Sequence, residues 1–266
     1  MLKAAIINTG DDGGGAELAS YRLLQGLAKE PGVQARMVVK ASCRGDERVR
    51  VLRQPGKRVY RRIWQNACQA AALRAGLRYV ALDNWREWRR DPFVQEADIL
   101  NFHNLHGNYI NYRHLSAILG DKAAVLTLHD MWALTGHCSY SFECERWKSG
   151  CGRCPHLDIY PNVRRDATAW EHWLKKRAFA RCRFHAVSPS RWLAECARQS
   201  PILGHFPVHV VPYGLDVEAY RPREKSLARA ALNIPLEEIV FFRRRDSLWR
   251  KAQGRRSYGP GARVVA

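Results

Sequence analysis

Imidazole, carboxylate, thiol and bare backbone gather in a few short stretches of this 266-residue chain. His129 and Asp130 close the apolar run LTLHD, and His103 and His106 sit in NFHNLHGNY. Such groups exchange protons or hold ligand hydroxyls. The plain alternative is a hydrogen-bonded histidine beside an aspartate that caps the next helix. Gly13, Gly14 and Gly15 form a second group, in TGDDGGGAE. Without Cβ atoms the backbone approaches a phosphate closely, and a following helix offers free N–H donors. Asp11 and Asp12 would repel an anion unless turned away, and a simple tight turn needs the same glycines. The third group is Cys138, Cys144, Cys151 and Cys154, spaced C-x5-C-x6-C-x2-C. Four thiolates suit a tetrahedral structural zinc, with His137 and His156 as substitutes. Packed or disulfide-linked cysteines are the other reading. Cys43, Cys68, Cys182 and Cys196 are scattered and read as packing residues.

These groups need elements to position them. Lys3–Gly10 is a short apolar run ending in glycine, which reads as a buried strand before the glycine turn. The next residues, AELASYRLLQGLAKE, have helical spacing, and Val33–Ser42 fits a second strand. Arg58–Leu77 fits a basic amphipathic helix. Strands at 97–104, 123–130, 184–188 and 208–212 alternate with helices at 112–120, 167–181 and 190–199. Such alternation implies an α/β fold, a parallel sheet covered on both faces, with ligands beyond the carboxyl ends of its strands. The glycines, His103, His129 and Asp130 all follow expected strands.

The chain is 46% hydrophobic and 10% aromatic, enough for a sizeable core, and the cysteines are too few and clustered for a disulfide framework. It shows no run long enough to span a bilayer and no signal peptide, so a soluble cytoplasmic protein is expected. The net charge of +19 suggests anionic partners. No standard nucleic-acid motif accompanies it, so nucleic acid is not the expected partner. A zinc-stabilised basic binding protein for nucleic acid or glycan, without catalysis, is the alternative to an enzyme.

Three segments together carry a resemblance: NTGDDGGGAELASYRLLQGL, LTLHDMWALTGHCSY with CERWKSGCGRCPHL, and HAVSPSRWLAECARQS with VHVVPYGLDVEAYRP. The chain resembles the N-terminal, Rossmann-like half of family 4 glycosyltransferases of the GT-B fold, in the branch that builds bacterial polysaccharides such as colanic acid. The resemblance implies sugar transfer from a nucleotide-diphosphate sugar to a polysaccharide or lipid-linked oligosaccharide acceptor. It implies that Gly13, Gly14 and Gly15 lie near donor phosphates and acceptor. It also implies that His129, the candidate catalytic residue, contacts the transferred sugar; His103 and Asp130 are candidates for substrate contact by their place after strands. A lipid-linked acceptor would bring the basic helix 58–77 to an anionic membrane, at the inner face of the cell membrane. Tyr213 stands where the family's hinge usually has Asn.

The pattern departs from that family after the hinge. The expected organisation is a domain at 1–212 with a cysteine-rich loop at 137–156, a linker at 213–225 and the start of a second domain at 226–242. Residues 243–266, with eight Lys/Arg and one Asp, read as an aberrant tail without regular structure. No Glu follows Glu238, so the Glu-x7-Glu of a donor-binding domain is missing. A C-terminally truncated, impaired enzyme is therefore expected.

Overall fold

The computed structural model describes residues 1–52 and 59–242 together with the segment 263–265. Within 1–214, which forms one compact unit, seven strands make a sheet. They are β1 (Leu2–Gly10), β2 (Val33–Ala41), β3 (Val49–Val51), β4 (Ile99–His103), β5 (Ala123–Thr127), β6 (Phe184–Ser188) and β7 (Val208–Val210). Their order is β3-β2-β1-β4-β5-β6-β7, and every pairing is parallel. This is the Rossmann-like arrangement expected from the sequence. The strand order reverses between β1 and β4, the place where such sheets hold ligands at the carboxyl edge.

Burial on both faces explains why the central strands are nearly continuous apolar runs. Successive side chains alternate between faces. Ala5, Ile7 and Val38 join the larger core with Leu100, Phe102, Leu126 and Phe184. Ile6, Met37 and Val39 face the smaller one, closed by Tyr21 and Leu24 of α1 (Gly15–Leu27). The other helices of this unit are α2 (Val59–Arg74), α3 (Trp85–Arg90), α4 (Pro92–Glu96), α5 (Leu115–Leu119), α6 (Thr168–Phe179) and α7 (Arg191–Gln199). None of the described helices is long and apolar enough to cross a membrane.

Several expectations shift. Arg58 lies outside the described residues, so the basic helix begins at Val59. The helix expected at 112–120 is a 3-10 turn, Tyr112–His114, followed by the short α5. Cys43 is exposed and only Cys182 of the four scattered cysteines is fully buried. Cys43 lies in the loop after β2. Residues 215–266 form a separate unit. Its described elements are α8 (Lys225–Ala231), β8 (Val240–Phe242) and β9 (Arg263–Val265), the two strands pairing in parallel. Of the tail expected to lack regular structure, β9 is thus a strand; the remainder, 243–262 and Ala266, lies outside the described residues.

Candidate functional site

The glycine loop joins β1 to α1 at the point where the strand order reverses. Gly13 has φ +104°, a conformation costly for any residue with a Cβ. A Cβ on Gly14 would overlap the Glu17 carboxylate. Gly14 caps α1 without a side-chain bond, so the first N–H groups of that helix remain free of caps. Both aspartates are turned to other partners. Asp11 is fully buried and accepts hydrogen bonds from Ser42 Oγ (2.6 Å) and from the backbone N–H groups of Cys43 (2.9 Å) and Arg44 (3.3 Å). Burial pushes its carboxyl upward, but those bonds together hold it below the usual carboxylate range. Asp12 pairs with Arg44 at 3.2 Å. Asp12 also accepts from the Gly13 N–H at 2.8 Å, so its carboxylate stays at the loop with Arg44 as its counter-charge, while Asp11 remains ionised but turned into its own hydrogen bonds.

One strand away, the histidines form a chain. His103 is the last residue of β4 and pairs in register with Thr127 at the end of β5. The Leu128 N–H bonds to Val187 O at 2.8 Å, which carries β5 straight on and sets His129 just beyond the edge. His103 Nδ1 faces His129 Nε2 at 2.8 Å, and His129 Nδ1 faces the Tyr213 hydroxyl at 2.6 Å. The Tyr213 ring also stacks on His129, centroids 5.6 Å apart at 23°. Burial drives the His103 imidazole well below its ordinary value. It brings His129 down to about 4, with Asp130 only partly offsetting it. Both rings are neutral at pH 7 and share one proton across their facing nitrogens. His129 is thus suited to holding a hydroxyl and not to donating a proton as an acid.

Asp130 has a partner on each carboxylate oxygen. Its Oδ1 accepts from the Trp132 N–H at 2.8 Å, as a cap does, and its Oδ2 meets His106 Nε2 at 2.8 Å. The His106 ring lies 5.7 Å from Tyr160. The structure thus brings His103, His106, His129 and Asp130 together on adjacent strand ends, with the glycine loop on the neighbouring strand. Sequence reasoning missed Glu17, Tyr160 and the contact of Tyr213. Glu17 bonds to Thr9 at the end of β1, and its place in the first turn of α1 was a usable signal. Tyr213 meets His129 across 84 residues, and no local pattern announces that.

The zinc expectation needs correction. Among the described residues no group of three or more His, Cys, Asp or Glu side chains is arranged to hold a metal ion. Cys138, Cys144, Cys151 and Cys154 are all free thiols that line one small pocket of about 20 Å³ with His137 and Trp147. Cys154 Sγ approaches His137 Nε2 at 3.5 Å. Burial pushes the Cys151 thiol up to about 12 and raises Cys138 and Cys154. Beside the pocket runs a pinned loop. Lys175, fully buried, donates to the carbonyls of Trp132 (2.8 Å), Thr135 (3.0 Å) and Gly136 (3.2 Å). It thereby fixes the segment that follows His129 and Asp130.

Comparison with known proteins bears on what this edge acts upon. A stretch of 131 residues, 45% of this chain, is 30% identical to the putative colanic acid biosynthesis glycosyl transferase WcaC of Escherichia coli (strain K12). The match spans 31% of that protein's length. Residues 13–219 match the family described as Glycosyltransferase Family 4. The match runs from Gly13 past Tyr213 and takes in the three glycines, His103, His106, His129 and Asp130, so the chain belongs to glycosyltransferase family 4.

Proposed function

We propose that this chain takes part in moving a sugar from a nucleotide-diphosphate sugar to a polysaccharide or lipid-linked glycan acceptor, at the carboxyl edge of its sheet. The observation that carries this is the chain Tyr213–His129–His103, set beside the glycine loop in a member of a sugar-transfer family. In this reading the N–H groups at the start of α1 face the donor phosphates. The neutral His129 imidazole takes a hydroxyl of the transferred sugar, and Asp130 with His106 holds the adjoining wall. Transfer then forms a bond from the acceptor oxygen to the anomeric carbon as the bond to the diphosphate breaks, and the proton of the acceptor hydroxyl passes to the departing diphosphate. Preorganised donors favour that step because they need no rearrangement as charge moves onto the diphosphate.

The test is ligand-observed saturation-transfer NMR with a panel of nucleotide-diphosphate sugars. At least one is expected to show contact through its sugar-ring protons, and His129→Ala is expected to abolish that ring contact. A panel with no contact, or contact undisturbed by the substitution, overturns the reading. The lipid-linked form of the acceptor draws support from α2, whose Tyr60, Ile63 and Trp64 are exposed on one face. Aromatic and aliphatic side chains on a basic helix suit the boundary of an anionic bilayer. Co-sedimentation with anionic vesicles, reduced by Trp64→Ala, is the expected result.

A further inference from the structure

Beside the histidine chain, on the same edge of the sheet, three aromatic side chains face solvent together. Tyr140 and Phe142 stand on the cysteine-rich loop after β5, and Trp192 lies in the first turn of α7, after β6. Their exposures are 48%, 63% and 54%. Yet they touch one another: Tyr140 lies 5.8 Å from Trp192 and 4.8 Å from Phe142, centroid to centroid. An exposed cluster of large rings marks an interaction site more often than a scattered single ring does. A second observation is independent of exposure. Phe142 holds φ +48°, the left-handed region that bulky residues avoid. Backbone strain that presents an aromatic ring to water gains the fold no burial, and strain of this kind concentrates at binding sites.

What lies around the rings selects the occupant. Phe142 touches His156 at 6.2 Å. His156 joins Glu143, Glu145 and Arg146 around an open hollow of about 310 Å³. Flat ring faces take the C–H face of a pyranose, while carboxylates and a guanidinium take its hydroxyls, the usual mixture of a small-molecule site. The two glutamates are balanced by Arg146 and by Lys148, which meets Glu145 at 2.5 Å, so the hollow offers no excess positive charge to draw a phosphate, a nucleotide or an anionic lipid surface. The patch is also continuous with the candidate site. Ser139, next to Tyr140, donates from its N–H to Tyr160 O at 2.8 Å, and the Tyr160 ring packs on His106.

From these we infer that Tyr140, Phe142 and Trp192 form a stacking platform for uncharged sugar units of the glycan acceptor. The platform lies beyond the position where transfer is proposed. It rests on the sugar-transfer reading for the identity of its occupant. It would hold a sugar already in the acceptor, so the acceptor is an oligosaccharide and not a single sugar.

The test uses the full chain and a printed array of short neutral oligosaccharides. Wild-type protein is expected to retain a defined set of them. Trp192→Ala and Tyr140→Ala, both at exposed positions, should lower the retained signal at least tenfold with unchanged circular dichroism. Phe142→Gly should lower it as well while the thermal midpoint stays the same or rises, because glycine relieves the backbone. A purely structural Phe142 would move the midpoint down instead. His129→Ala should leave retention intact. Retention by wild type that survives all three aromatic substitutions overturns the platform while leaving the transfer reading to its own test. An array with no retained glycan, or aromatic-dependent binding to anionic vesicles instead, also overturns it.

Discussion

At the residue scale, His129 is defined by what already occupies it. Nε2 faces His103 and Nδ1 faces Tyr213, so a sugar hydroxyl reaches this imidazole only by displacing the phenol. Tyr213 is half-exposed and free of the packed core, so displacement needs little more than a side-chain rotation. The same ring helps to keep water from His129, and burial is the main reason that imidazole lies at about 4. Tyr213→Ala is therefore expected to raise the His129 pKa by on the order of one unit, toward the unperturbed value. Tyr213→Phe, which keeps the stack and loses the hydroxyl, should move it less. Histidine NMR titration of both variants measures this. A His129 titration unchanged by Tyr213→Ala would show that the shielding comes from elsewhere.

At the element scale, α6 decides whether the loop after β5 keeps its shape. The three protons of the Lys175 ammonium meet three carbonyls, and the ammonium also lies 3.6 Å from the centroid of the Trp132 ring. Burial lowers its pKa to about 8, with Glu171 opposing that shift. Lys175→Met would leave three carbonyls without their donor, and is expected to cost at least about 3 kcal/mol. Urea unfolding gives the stability loss, and faster thiol labelling of Cys138 and Cys151 would report the loosened loop. A loss below about 1 kcal/mol would show that the loop stands without the lysine. None of this was legible beforehand, because a lysine in an amphipathic pattern reads as surface. The central strands were legible because each is a doubly buried apolar run. The three-residue edge strand β3 was not, and neither were α3 and α4, too short to show a period. Asp91-Pro92 did carry the signal for α4: Asp91 accepts from the Phe93 N–H at 2.9 Å with proline at the helix start. The cysteine spacing suggested metal ligands, with packed or disulfide-linked cysteines as the other reading, and the four cysteines line one pocket as free thiols. Ligand geometry, however, depends on how the loop is tied down, by the Cys154 N–H to Asp166 Oδ2 at 2.7 Å and the Gly152 N–H to Thr168 of α6 at 3.0 Å, which spacing does not encode.

At the scale of the whole molecule, the buried histidines set the response to acid. His103, His114, His129, His137 and His172 all lie below their ordinary value, burial being the first cause in each. His129 and His172 are both at about 4. In the unfolded chain each takes up a proton at about 6.5. Between those values the unfolded state binds more protons than the folded one, so stability falls as pH falls through that window. Glu171 works in the other direction. Burial raises it to about 7, so the folded state binds its proton first and gains stability as pH falls from 7 toward 4.5. Asp11, Asp46 and Asp166 are held low and weaken the fold only below about 4. Five groups thus oppose one in the interval from pH 6.5 to 4.5, and the net charge of +19 grows on acidification, adding repulsion. The thermal midpoint is expected to drop steadily from pH 7 to pH 5. His172→Gln, which keeps a polar side chain but cannot charge, should make that drop shallower. A midpoint that stays flat or rises on acidification would show that these imidazoles are not held neutral, and with it the role assigned to His129 as a neutral hydroxyl-binding group would fall.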